Sequence, residues 1–236
     1  MPSQIIAMGG GVLVPEAANH GALERYILAA TGKLKPRVLF VPTASGDDAS
    51  YVARFYESYA PLNCTPTHLP FFRRTPADLR ALVLAQDVVH VGGGNTRSML
   101  AVWRDWGFDA VLREAYDAGI VLCGSSAGAI CWFDEGVTDS IAGGLTRMAA
   151  LGFLPGSACP HYDGEAERRP SYQRLVAERT IGGGYAADDG VGLHFVDGAL
   201  DRVVSARPPA TAYRVEPDGT GARETSLEAV AITSAA

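Results

Sequence analysis

The sequence predicts an α/β fold: a mostly parallel sheet covered by helices on both faces, with antiparallel strands in the C-terminal part. Three observations predict it. Short apolar runs at 5–8, 37–41, 87–91 and 120–123 each stop at or just before Gly or Pro, as buried parallel strands do. Helix-like segments alternate with these runs, which is the β–α order of a doubly covered sheet. From Tyr185 onward the segments become short and alternating, separated by turn pairs such as Asp197-Gly198 and Asp218-Gly219, a hairpin pattern.

The elements follow in order. The strand at 5–8 ends in Gly9-Gly10-Gly11, a turn at a sheet edge. Leu23, Tyr26 and Ile27 sit on one stripe of a helix expected over 17–30 and stopped near Gly32. The strand at 37–41 stops at Pro42, and Thr43-Ala44-Ser45 is placed to cap a helix over 48–59. A third strand is expected at 67–72 and a short helix at 76–84. The strand at 87–91 leads into Gly92-Gly93-Gly94-Asn95, followed by helices at 96–103 and 108–117. The Gly-rich stretch 140–156 reads as loop with a strand near 151–154, and 166–179 as a helix interrupted by Pro170. Short strands are expected at 191–196, 202–206, 212–215, 222–226 and 229–232, extending the same sheet. No repeat, low-complexity tract or linker divides the chain, so residues 1–236 are expected to form a single α/β domain.

Composition narrows the function classes. Hydrophobic residues make up 47% and charged residues 19% of the 236, ordinary for a compact enzyme. A net charge of −6 gives no reason to expect nucleic acid or an anionic membrane as partner. Cys64, Cys123, Cys131 and Cys159 form no C-x-x-C pair and read as buried free thiols in a reducing compartment. With no charged leader before a long apolar run, a cytoplasmic protein is expected.

The chemistry centres on Gly124-Ser125-Ser126-Ala127-Gly128, between an apolar strand and an apolar helix. A G-x-S-x-G in that context is a nucleophile elbow: a sharp turn lifts the central hydroxyl off the sheet edge. Ser126 is therefore the candidate nucleophile. A serine needs a base, commonly a histidine oriented by a carboxylate. Of five histidines, His20 reads as solvated and His68, His90 and His194 as strand or packing residues. His161 lies instead in the non-periodic loop Cys159-Pro160-His161-Tyr162-Asp163-Gly164, where catalytic groups tend to sit. Asp188-Asp189-Gly190 supplies two carboxylates in a turn, and Asp134 and Glu135 are further acids within range. Ala127 and the GGGN turn can offer backbone N–H groups to an oxyanion. That turn lacks both a P-loop lysine and a G-x-G-x-x-G pattern, so a nucleotide is not expected.

Taken together, Val91-Gly92-Gly93-Gly94-Asn95-Thr96, Gly124-Ser125-Ser126-Ala127-Gly128-Ala129, Pro160-His161-Tyr162 and Asp189-Gly190 resemble the S51 serine peptidases. These include peptidase E, an α-aspartyl dipeptidase, and the related cyanophycinases. The resemblance implies a three-layer α/β/α sandwich like the class I glutamine amidotransferases (flavodoxin-like). It implies Ser126 as nucleophile, His161 as general base and Asp189 as the acid that orients it, where the dipeptidase has glutamate. Gly93 and Ala127 would donate to the oxyanion, Asn95 would lie at the substrate edge, and Arg168 or Arg169 would hold a substrate carboxylate. Neither metal nor cofactor is implied. The expected substrate is a short peptide, first a dipeptide with N-terminal Asp. Ser125 and Ile130-Cys131-Trp132 depart from the dipeptidase elbow, and the loop between histidine and acid is shorter. Both departures bear on specificity rather than on hydrolysis.

Two other readings fit parts of the sequence. An α/β-hydrolase esterase would pair Ser126 with His194 through Asp163 or Asp189, in the order Ser, acid, His. A non-catalytic binding protein of the amidotransferase-like fold would leave the same residues idle. Exposed C-terminal strands able to pair between subunits leave a homodimer open.

Overall fold

The computed structural model describes residues 1–13 and 19–234. The apolar runs form its centre. β1 (Gln4–Met8), β2 (Arg37–Val41), β3 (Thr65–His68), β4 (Val88–Val91) and β5 (Val121–Ser125) pair in parallel in the order β1-β5-β4-β2-β3. Side chains along a strand alternate between faces, and the core divides accordingly. Ile6, Met8, Val38, Phe40, Val88 and Cys123 pack with Leu23, Ile27, Phe55 and Tyr59 from α1 (Ala22–Ala30) and α2 (Ala49–Tyr59). Ile5, Ala7, Leu39, Val41, Val89 and Leu122 pack with Val83, Met99, Trp103, Phe108 and Leu112. Those partners come from α3 (Leu79–Leu84), α4 (Thr96–Asp105) and α5 (Phe108–Asp117). Burial on both faces is why these strands read as unbroken apolar runs.

The C-terminal strands do not all extend this sheet as expected. β10 (Val191–Val196) joins β1 antiparallel, β11 (Ala199–Ser205) follows it, and β14 (Ala229–Ala231) completes eight strands. The others build a second, six-stranded sheet. It contains β6 (Phe133–Thr138), β7 (Thr146–Ala149), β8 (Leu154–Cys159), β9 (Gly184–Ala187), β12 (Ala212–Asp218) and β13 (Gly221–Leu227). One face covers α7 (Arg168–Ala177) through Val137, Tyr162, Tyr172, Leu175 and Val215. The other meets the first sheet, with Phe133 and Tyr185 edge-on to Phe195 at 5.6 and 5.3 Å. β6 and β9 escaped the sequence reading because they are short and rich in Gly, Ala and acids (FDEGVT and GYAA).

Smaller differences have local causes. The helix expected over 17–30 begins at Ala22; residues 17 and 18 lie outside the described residues. Thr43–Ser45 is a 3-10 turn, and Asp48 caps α2 by accepting the Tyr51 N–H at 2.8 Å. The third strand forms at 65–68 rather than 67–72. Pro170 sits in the first turn of α7, where its missing N–H has no intrahelical partner to lose. The stretch 140–156 carries β7 and the start of β8 instead of one strand at 151–154. All four cysteines are buried and free.

Candidate active site

Ser126 stands between β5 and the short helix α6 (Ala127–Ile130), with φ 57° and ψ −118°. Positive φ costs a non-glycine residue about 1 kcal/mol or more; here it turns the side chain out of the strand direction, as an elbow requires. The flanking glycines permit that turn. A Cβ on Gly124 would lie 2.4 Å from the Gly128 carbonyl oxygen, and one on Gly128 would lie 2.3 Å from that of Val91.

Histidine and acid arrive from elsewhere. His161 follows β8 of the second sheet, and Asp189 lies where the chain crosses from β9 to β10, between the two sheets. Their side chains meet, His161 Nδ1 to Asp189 Oδ1 at 2.8 Å. The end of β1 aligns all three segments. Met8 O accepts the Ser126 N–H (3.3 Å), Gly9 O that of His161 (3.1 Å) and Gly10 O that of Gly190 (2.8 Å). Three consecutive carbonyls therefore register the segments that carry Ser126, His161 and Asp189. Such proximity excludes side chains: a Cβ on Gly10 would lie 2.1 Å from Asp189 Oδ1 and 2.4 Å from His161 Cε1, and one on Gly9 2.1 Å from Asp188 O. In sequence these glycines read only as an edge turn. Three consecutive glycines after a strand were the available signal. Among the described residues, neither Ser126 Oγ nor His161 Nε2 is committed to a hydrogen bond.

The two adjacent acids separate cleanly. Asp188 is 4% exposed, accepts the Thr211 N–H at 3.0 Å and does not touch His161. Burial raises its carboxyl above the ordinary aspartate value, with the Asp163 charge adding to that and the Thr211 bond opposing it. Asp163 does not orient the histidine either. It accepts the Asp189 N–H at 2.9 Å and pairs with Arg207, whose Nε donates to the Asp189 carbonyl at 3.0 Å. Burial alone would raise Asp163, but the Arg207 and Asp189 hydrogen bonds prevail and lower it. Asp134 accepts the Gly156 N–H and Glu135 the Gly182 N–H, so both serve the second sheet.

His90 and His194 are tied into the first sheet by hydrogen bonds. His90 is buried, bonded through Nδ1 to the Tyr59 hydroxyl at 2.9 Å, and burial pushes its pKa down to about 3. His194 pairs with Ile6 in mid-strand and has both ring nitrogens occupied, by Tyr26 (2.7 Å) and Gln4 (3.0 Å). The esterase arrangement built on His194 therefore has no base to offer.

A cavity of about 250 Å³ opens at Ser126, lined also by Gly94, Asn95, Asp139, Ser140, Glu165 and Arg168. A larger one of about 320 Å³ lies behind Asp189, against Asp163, Gly190 and Arg207; it does not include Ser126. The Gly93 amide is already engaged. Gly93 lies beside the nucleophile, its ideal Cβ 3.2 Å from Ser126 Cβ, but its N–H donates to Tyr51 Oη at 3.0 Å. Gly94, the next residue, is the one lining the cavity. Asn95 lines it too while capping α4: its Oδ1 accepts the Ser98 N–H (2.8 Å) and its Nδ2 donates to Ser140 O (3.2 Å).

The two arginines diverge. Arg168 reaches the cavity, but its side chain is 2% exposed and donates to Glu165 (2.6 Å) and Val137 O (3.0 Å), with Asp139 at 3.6 Å. Arg169 is absent from that lining; it pairs with Glu224 and stacks over Tyr162 and Tyr213 at 5.2 and 4.8 Å. Among the described residues, no three His, Cys, Asp or Glu side chains gather as a metal site. No described helix is long and apolar enough to cross a membrane.

Known proteins share this architecture. The uncharacterized peptidase YgaJ of Bacillus subtilis (strain 168) is 53% identical over 212 residues, 90% of this chain and 91% of that protein. The crystal structure of a peptidase from an acI-B1 Actinobacterium superposes with a TM-score of 0.73 at 17% identity, over 97% of this chain and 95% of that one. A Listeria monocytogenes EGD-e structure with a provisional peptidase E name gives 0.64 at 19% identity, over 88% and 99%. The family model for peptidase family S51 matches residues 5–203. The chain belongs to peptidase family S51.

Proposed function

We propose that this peptidase is of the serine type and hydrolyses short peptides through an acyl-enzyme on Ser126, dipeptides with N-terminal Asp being the first substrates to test. His161 Nε2 would take the Ser126 proton and return it to the leaving amine, while Asp189 holds Nδ1–H and stabilises the imidazolium. The oxyanion would be met by the Ala127 N–H and, with Gly93 engaged by Tyr51, by that of Gly94. Each such donor contributes about 3 kcal/mol to the transition state. The observation that carries this reading is the convergence of all three segments on Met8, Gly9 and Gly10, with the His161–Asp189 bond already made. The pair and the elbow serine are thus held to successive residues at one strand end.

The aspartyl preference rests on Arg168. Its planar fork suits a carboxylate, but Glu165 occupies it at rest, so an Asp side chain would have to share or displace that partner. The test is a hydrolysis screen over dipeptides with varied N-terminal residues, run beside Ser126→Ala. The parental enzyme should cleave, and the folded alanine variant should neither cleave nor take up a fluorophosphonate label. Parental cleavage by Ser126→Ala would overturn the serine mechanism. Cleavage of neutral dipeptides in preference to Asp-Xaa would overturn only the aspartyl preference.

A further inference from the structure

His161 holds a left-handed backbone, φ 56°, a conformation that a non-glycine residue keeps only when its surroundings over-determine it. Its own N–H is tied to Gly9 O and its carbonyl to the Glu165 N–H, both at 3.1 Å. The next residue supplies the remaining restraint. Tyr162 is 2% exposed; its N–H donates to Ala187 O at 3.1 Å and its hydroxyl to Glu224 Oε2 at 2.6 Å. Glu224 also accepts from Gln173 Nε2 at 2.8 Å and from Arg169. One carboxylate thus joins the histidine loop, α7 and the β12–β13 hairpin. Burial by itself would raise the Glu224 carboxyl, but the three donors outweigh it and hold it below the ordinary glutamate value. It remains an acceptor at neutral pH. Burial and that neighbouring carboxylate push the Tyr162 hydroxyl far up, so it remains the donor.

We infer that Glu224, in a hairpin beyond the 5–203 span of the family match, is a positioning residue for His161, acting through Tyr162. The inference rests on the serine peptidase reading. Removing the carboxylate frees the tyrosine, and the histidine backbone then has one restraint fewer against relaxing out of its left-handed state. The imidazole would lose its fixed orientation, and proton transfer depends steeply on such geometry.

The rate and pH profile of fluorophosphonate labelling at Ser126 test this without a known substrate, because labelling needs His161 as base. Glu224→Ala should slow labelling at least tenfold and displace the acidic limb of the profile. Glu224→Gln, which keeps an acceptor for the Tyr162 hydroxyl, should recover the rate to within threefold. Leu175→Ala, a cavity in the same cluster that removes none of the Glu224 hydrogen bonds, serves as the stability control and should label at the parental rate despite a lower Tm. Parental labelling by folded Glu224→Ala, or equal slowing by Leu175→Ala, would overturn the assignment. Should Glu224→Ala not fold, Tyr162→Phe replaces it, with slowed labelling supporting the assignment and parental labelling overturning it. Unchanged labelling of Ser126→Ala would remove the serine reading and this inference with it. A silent Ser126→Ala beside a fully active Glu224→Ala would remove this inference alone.

Discussion

The nucleophile half and the histidine half of the site are built in different ways. Ser126 is placed by neighbours in sequence: β5, α6 and two glycines within five residues. A strained φ is tolerated because β5 is buried and paired in parallel on both sides. His161 and Asp189 lie 28 residues apart, on segments of low apolar content, and are placed by distant partners. Those are the end of β1, the Asp163–Arg207 pair and Glu224 in the last hairpin. A local motif fixes the first group; a set of long-range hydrogen bonds fixes the second. Substitutions should therefore behave differently in the two halves.

The harshest test compares two histidines. His161→Ala should reduce peptide hydrolysis by a factor on the order of 10⁶, as loss of a general base does in serine peptidases. His194→Ala should retain the parental kcat and lose stability instead, since Tyr26 and Gln4 lose their partner. Kinetics and thermal melts on both variants check this, and the reverse result would place the base in the first sheet. Next comes the acid pair. Asp189→Asn should lower kcat about 10⁴-fold, whereas Asp188→Asn should lower Tm with a far smaller change in kcat. Comparable kcat losses from both would remove the distinction drawn between them.

Gly10→Ala is milder and probes the register itself. Its methyl group would enter the space of Asp189 Oδ1 and His161 Cε1, and a displacement near 1 Å costs about 10²-fold in rate. Circular dichroism should report an intact fold. Parental activity would mean that the β1 end does not set the pair.

The smallest effect is on stability against pH. His90 has its pKa lowered from 6.5 to about 3 by burial, so the unfolded chain takes up the proton first. Its contribution is complete above about 6.5 and is lost as pH falls from there toward about 3. Glu224 sits below its ordinary 4.5, so its contribution is complete above that value and is lost only as pH falls through the lower folded one. The α2 side of the first sheet should weaken in milder acid than the Glu224 contacts. Tm measured against pH should show a slope between pH 6.5 and 4.5 that His90→Gln flattens and Glu224→Gln leaves in place. An unaltered slope in His90→Gln would assign that limb to another group.

The parallel sheet, its two helical layers and the elbow at Ser126 were legible in the sequence because each depends on short-range pattern. Apolar runs buried on both faces leave a continuous signal, and G-x-S-x-G is complete within five residues. His161 stood out by elimination as the histidine outside every periodic segment, and His68, His90 and His194 are hydrogen-bonded to tyrosines. Asp188 and Asp189 were not separable, since neighbours in a turn differ only in what each side chain meets. Of the second sheet, β12 and β13 were read as strands but assigned to the first sheet, while β6, β7 and β9 went unread because they carry acids, glycines or polar residues in place of an apolar run.

What the amino-acid order determined by itself is therefore the parallel scaffold and the elbow turn at Ser126. Tertiary structure showed that Asp189 rather than Asp188 meets the imidazole, as the resemblance implied, and it alone decided that Arg168 is already paired and Arg169 turned away, and that Tyr51 holds the Gly93 amide. The reason is physical. Periodicity and turn chemistry act over a few residues, whereas a hydrogen bond between Tyr162 and Glu224, 62 positions apart, exists only after the chain between them has been folded into sheets that bring its ends together.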